Sequence, residues 1–455
     1  MERMRVRSAR YREANGAPPR AFVLTFGCQQ NEADSEKLSG MAQAMGYTLC
    51  DRPDEADLIV VNTCAIREHA EKKALSTVGQ YKHLKARRPG MIIAVCGCMT
   101  SQAHRLEELK HRYPYVDLVF GTSAVERFPE LLDGCLTQGK RLFVPLEEQP
   151  PMAEGSPVHR SSSYRAWVSV MYGCNNFCSD FIVPYVRGRE RSRSREAILG
   201  EVCGLVQSGY RDITLLGQNV NSYSRDAGGS CGFPGLLAEL DRIPGDYLLR
   251  FMTSHPKDAS RELIDVMASS AHVAHQFHLP LQSGSDEILR RMNRRYTAAQ
   301  YLETVAYMRE RMPDVTLSSD IIVGFPGETE ADFEATLDML RRVRFDLLYS
   351  FIYSPRKGTP AAAMEHQIPR AVQQERFDRL LALQKQIGQE INNTLLGRPL
   401  RVLCDGVSKS NPSLYSGRTE GNKIAFFEGS PADVGQFVTF EAARADAFAL
   451  YGHKR

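Results

Sequence analysis

The chain has 455 residues, 43% hydrophobic and 24% charged, with 57 Lys and Arg against 54 Asp and Glu for a net charge of +3. That length exceeds one compact core and implies two or three domains, and no run of about 18 apolar residues offers a membrane span. A net charge of +3 does not declare a nucleic-acid binder, so any such role must rest on local patches.

Residues 1–19 are Arg-rich but lack an apolar stretch, and read as a solvated basic tail. Residues 20–145 alternate buried runs with helical patterns: "AFVLTFG", "ADLIVVNTC" and "MIIAVCGC" are strands, and "DSEKLSGMAQAMG" is a helix. Such alternation implies a small parallel α/β sheet with functional loops beyond the carboxyl ends of its strands. Residues 146–163, rich in Pro, Ser and Glu, read as a linker. Six strand candidates recur in 164–395, from "RAWVSVMYG" to "FDLLYSFIY", with helical stretches between several of them. They suggest a partial or full (β/α) barrel with its chemistry at the strands' C-terminal ends. Thr297 with Gln300 makes a capping box, and Thr329 caps the helix after "VGFPGE". From 396 to 455, short alternating strands between Gly and Pro turns imply a small all-β barrel, separable from what precedes it.

Eleven cysteines without a secretory leader point to a reducing, cytoplasmic setting, where clustered thiols hold metal or do redox chemistry. Cys174 and Cys178 lie four apart in a Gly/Asn turn after a buried strand, which suits thiolates that must face one centre. Cys28, Cys64 and Cys98 each follow a strand of the first sheet and can converge at one edge. Their wide separation leaves three structural cysteines as an equal reading. Cys96 points into the sheet. Arg187, Arg189, Arg191, Arg193 and Arg195 form an alternating run, either a solvated face or a grip on phosphate or carboxylate.

The ordered strings "TFGCQQNEADSE", "GCNNFC", "IVPYVRGRERSR", "LLGQNVNSY", "SHPKD", "HLPLQSGSDEIL", "DIIVGFPGETEADF", "YSPRKGTPA" and "GRTEGN" resemble the radical-SAM methylthiotransferase family, in the branch that acts on N6-isopentenyladenosine. The resemblance implies an N-terminal methylthiotransferase domain whose Cys28, Cys64 and Cys98 hold an auxiliary 4Fe–4S cluster. It implies a central barrel whose Cys174 and Cys178 hold a second, and a terminal TRAM-like domain that grips tRNA. By the same resemblance Gly217, Gln218, Asn219, Gly324 and Glu328 meet S-adenosylmethionine. The implied reaction adds a methylthio group at C2 of N6-isopentenyladenosine in the tRNA anticodon stem-loop, by a monomer served by a reducing electron donor. Neighbouring branches act on threonylcarbamoyladenosine or a ribosomal protein.

The family pattern is C-x-x-x-C-x-x-C, and here the third position is Phe181, with Asp180 where an aromatic usually stands. Phenylalanine has no lone pair. Asp180 or Cys231 is a candidate substitute ligand, and a catalytically impaired tRNA-binding relative is the alternative of a different class.

Overall fold

The computed structural model describes every residue except 66–67, 147–153 and 227–231, so Cys231 lies outside the described residues. The chain forms two units, one built mainly of residues 1–162 and one mainly of 198–455. The stretch between them is shared: 171–175 and 181–197 belong to the first, 163–170 and 176–180 to the second.

The first unit is a six-stranded parallel sheet in the order Thr48–Leu49, Arg20–Thr25, Leu58–Thr63, Ile92–Gly97, Leu118–Phe120, Leu142–Val144. Strand Leu58–Thr63 is buried at all six positions, as expected for a parallel strand covered on both faces. Leu58, Val60, Ala94 and Cys96 pack on one face with Leu38, Met41 and Phe128. Ile59, Val61, Ile93 and Val95 pack on the other with Val78, Tyr81 and Leu109. The inward placement expected of Cys96 is borne out.

Two expectations change here. The basic tail is a helix, Glu2–Asn15, with Met4 and Ser8 buried. Its Arg5 donates to the Ala44 carbonyl at 2.8 Å, and Tyr11 donates to Asp57 at 2.9 Å. One apolar side chain and a few directional bonds dock a helix whose composition alone looks solvated. The second half of the supposed linker is also packed. The buried Glu36 accepts from Arg160 at 2.9 Å and from the Ser161 hydroxyl at 2.7 Å, and a Cβ on Gly40 would meet the Pro157 carbonyl at 2.4 Å.

In the second unit, two three-stranded parallel sheets carry the six strands read from the sequence. They run Leu248–Met252, Asp212–Leu216, Arg165–Ser169 and Gln276–His278, Thr316–Val323, Leu347–Ile352. A bridge between Leu249 and Val273 links the two sheets. Both expected caps form: Thr297 with Gln300 begins Ala298–Arg311, and Thr329 with Asp332 begins Glu330–Val343.

The C-terminal segment closes into a five-stranded barrel: Pro399–Val407, Tyr415–Thr419, Ile424–Phe427, Ala449–Lys454 and Phe437–Ala445. It is not separable in packing. Arg250, buried among the strand starts, donates to Asp212 at 3.1 Å and to the Thr419 carbonyl at 3.0 Å. Arg165 bonds Asp212 at 3.1 Å and Asp405 at 2.8 Å. The module therefore neutralises charges at the amino ends of the strands, away from the ends where chemistry is expected. Among the described residues no helix is long and apolar enough to cross a membrane.

Candidate cluster and cofactor sites

Cys28, Cys64 and Cys98 follow three adjacent strands of the first sheet, at their carboxyl ends. Cys28 is the N-cap of helix Gln29–Ala44. Cys64 and Cys98 are buried. The turn holding Cys98 needs glycine: Gly97 has φ +102°, and a Cβ there would lie 2.3 Å from the Thr63 carbonyl. That close approach lets the Cys98 N–H bond Thr63 at 2.9 Å. Burial pushes the Cys98 thiol up to about 12; Arg187 opposes the shift, while Cys64 and Cys28 add to it, so the three thiols share one electrostatic neighbourhood.

Polar side chains fix this corner. Asn31 donates to the Thr63 carbonyl at 2.9 Å and to Asn62 at 3.2 Å, and its own oxygen accepts from Cys28 at 3.5 Å. Arg187 is buried, not a solvated residue of an arginine run. Its Nε donates to Cys98 Sγ at 3.2 Å and its Nη2 to Asp34 at 2.8 Å. Of the other arginines, Arg193 pairs with Glu154 at 2.7 Å, and Arg189 and Arg195 are exposed. Among the described residues no three His, Cys, Asp or Glu side chains are placed to hold a single metal ion. A cluster spreads its ligands over several irons, and the donor set of three thiols with a cation beside them fits a thiolate-held, anionic 4Fe–4S group.

The central loop differs. In the first unit, Cys174 is buried and its N–H bonds the Gly188 carbonyl at 3.1 Å. Gly173, at φ +76°, permits the close approach, because a Cβ would meet the Arg189 carbonyl at 2.0 Å. In the second unit, Cys178 is buried and its thiol is raised by burial, with Arg294 and Lys257 opposing. Its neighbours are pinned by protein contacts: Ser179 Oγ to Arg291 O at 2.8 Å, Ser179 N to Met292 O at 3.0 Å, and Asn293 to Phe177 O at 2.7 Å.

Asp180 is buried against Arg294 at 3.2 Å, each side chain 8% exposed. That pairing gives the carboxylate a cationic partner within the protein. With Phe181 in third position, this donor set does not fit a cluster held by three thiolates.

The mouth of the (β/α) strands carries the polar groups expected of a cofactor site. Gly217, Gln218 and Asn219 follow Asp212–Leu216, and Ser254 and His255 follow Leu248–Met252. Gln218 Oε1, Asn219 Oδ1, Ser254 Oγ and both amide atoms of Asn221 are buried without a hydrogen-bond partner. Buried polar atoms are ordinarily paired, so this set suits a polar ligand such as S-adenosylmethionine. Asn219 Nδ2 is fixed by Asp258 at 2.8 Å.

His255 is neutral: burial first, then Arg294, Lys257 and Arg295, lowers it to about 2. Its Nδ1 accepts from Lys257 N at 3.3 Å, which leaves the proton on Nε2. Gly324 and Glu328 have partners within the protein. Glu328 accepts from Gly324 N at 3.1 Å and from Arg376 at 2.8 Å, and Gln373 donates to Gly324 O at 3.1 Å. The pair braces the turn against helix Arg370–Asn393. Burial raises the Glu328 carboxyl to about 7, against Arg376.

Sheet, cysteine corner, (β/α) mouth and terminal barrel together define a radical-SAM architecture flanked by two accessory domains. Three family models match in that order: the uncharacterized protein family UPF0004 over 20–121, the radical SAM superfamily over 168–340 and the TRAM domain over 393–454. A tRNA-2-methylthio-N(6)-dimethylallyladenosine synthase of Acetivibrio thermocellus is 49% identical over 94% of this chain and 89% of its own length. The protein of that name from Caldicellulosiruptor saccharolyticus is 46% identical over 99% and 96%. Among solved structures, the radical S-adenosylmethionine methyltransferase TsrM of Kitasatospora setae superposes with a TM-score of 0.57 at 14% identity, covering 76% of this chain and 77% of that one; this likeness concerns the fold alone. The chain belongs to the family of tRNA-2-methylthio-N(6)-dimethylallyladenosine synthases.

Proposed function

We propose that this chain installs a methylthio group at C2 of N6-dimethylallyladenosine in the anticodon stem-loop of tRNA, working as a monomer in the cytoplasm with a reducing electron donor. The observation that carries the reading is identity of 46–49% to synthases of that name along nearly the whole chain. The exposed cationic and aromatic surface of the terminal barrel supports tRNA as the partner: Arg444 lies over Tyr451 at 3.8 Å, and Phe448 is 67% exposed.

Each part of the site has its own task in this reading. Cys28, Cys64 and Cys98 hold a 4Fe–4S cluster, which when bound supplies the sulfur. Asn31 and Asn62 keep the three strand ends in register, and Arg187 balances negative charge. Gln218, Asn219 and Ser254 orient the polar groups of S-adenosylmethionine, and neutral His255 offers an Nε2–H donor without adding charge beside Arg294. Glu328 and Gly324 shape the turn next to it. Cys174 and Cys178 are one thiolate short of the set that the resemblance implies, so this reading expects low turnover with Phe181 in place and higher turnover in Phe181→Cys.

The test is nucleoside mass spectrometry of prenylated tRNA after incubation with the anaerobically reconstituted chain, S-adenosylmethionine and dithionite as the electron donor. Gain of a methylthio mass on the prenylated adenosine supports the assignment. The same gain on threonylcarbamoyladenosine, with none on the prenylated base, moves the chain to another branch.

A further inference from the structure

We propose that Arg187 is a positioning residue for the auxiliary cluster. It donates a hydrogen bond to the sulfur of Cys98 and sets the cluster's reduction potential, with Asp34 acting in the opposite sense. The inference rests on the reading that Cys28, Cys64 and Cys98 hold that cluster.

Its basis is geometric. Arg187 ends the short helix Val183–Arg187, whose Val186, with Ile182, packs against Cys98 and Ala65 in one apolar cluster. The Val186 carbonyl is held by Thr122 at 2.6 Å. Arg187 is 6% exposed and its guanidinium is aimed at three groups: Cys98 Sγ at 3.2 Å, Asp34 at 2.8 Å and Asn31 Oδ1 at 3.4 Å. Asn31 in turn accepts from Cys28, so one side chain reaches the surroundings of two of the three cysteines.

An ion pair needed merely to dock the helix would be complete with Asp34. The bond to sulfur is additional, and an N–H donor pointing at sulfur is satisfied best by thiolate or cluster-bound sulfur. Reduction of the cluster adds one electron, takes up no proton and increases the negative charge. A buried cation and an N–H···S bond therefore favour the reduced form, and a buried carboxylate disfavours it.

The experiment uses the full chain with Cys174→Ala and Cys178→Ala, so that iron reports the auxiliary site alone. Into it go Arg187→Met, Arg187→Lys and Asp34→Asn, each reconstituted, iron-counted and titrated with dithionite under electron paramagnetic resonance. Arg187→Met should lower the midpoint potential, Arg187→Lys should lower it less, and Asp34→Asn should raise it. Where Arg187→Met retains no iron, the Lys and Asn variants decide by the sign of their shifts. Unmoved potentials with iron retained would overturn the role of Arg187. Iron that persists when Cys28, Cys64 and Cys98 are all replaced would instead overturn the cluster assignment beneath it.

Discussion

At position 181 a side chain without lone pairs stands where the resemblance implies a thiolate, and Asp180 beside it is paired with Arg294. Two outcomes follow from that geometry. Phe181→Cys should raise iron after reconstitution from roughly four to roughly eight atoms per chain, as expected for one and two 4Fe–4S clusters. Asp180→Ala should leave the iron count unchanged but destabilise the fold by about 3 kcal/mol, because it strands a buried guanidinium; chemical denaturation reads the second effect. A fall in iron in Asp180→Ala would make the carboxylate a ligand after all. His255 gives a pH signature. Its folded value of about 2 lies below the ordinary 6.5, so between those values the unfolded chain binds a proton that the folded chain does not. Stability from this residue is complete above 6.5 and is lost as the pH falls below it. Glu328 acts oppositely, since a folded value of about 7 against 4.5 makes stability fall as the pH rises between them. His255→Asn should therefore flatten the acid limb of the urea midpoint against pH; an unchanged limb would contradict burial of a neutral imidazole.

Among the elements, the strand ends decide the chemistry, and glycine decides their shape. Gly97→Ala adds a Cβ into the Thr63 carbonyl at a positive φ, and should lower stability by about 3 kcal/mol and empty the auxiliary site, as melting curves and iron assays would report. Retained iron with native stability would show that the turn tolerates a side chain. Much of this level is legible in sequence. Continuous apolar runs such as "LIVV" identify buried parallel strands, and a cysteine directly after each run places all three thiols at one sheet edge. The signals at Thr297 and Thr329 are local and come out as expected. Other features depend on partners far along the chain. Arg187 reads as one member of a charge run because nothing nearby reveals Asp34 and Cys98. Glu36 hides its bonds to Arg160 and Ser161 for the same reason, and the N-terminal helix shows little apolar periodicity. The place of Ser254 just after a strand marks it as lining the mouth, whereas Asn221 carries no local signal, because an orphaned polar atom becomes visible only when burial is known.

For the whole molecule, the terminal barrel is joined to the (β/α) strands by buried charge. Arg250→Met should cost about 2–3 kcal/mol by removing one of the two arginines on Asp212, with Arg165 retained, and the bond to the Thr419 carbonyl, which makes simple truncation at 396 an unsuitable probe of tRNA binding. Substitution of Arg444 and Phe448 is the cleaner test: tRNA affinity should fall while melting stays native, and affinity should fall with salt as phosphate contacts release counterions. Unchanged affinity would place the grip elsewhere. The most direct test of the account is nucleoside analysis of prenylated tRNA treated with the reconstituted Phe181→Cys chain, S-adenosylmethionine and dithionite. The account predicts a methylthio group at C2 of the prenylated adenosine, in larger yield than the chain with Phe181 produces. Roughly eight irons per chain with no methylthiolated nucleoside would contradict it.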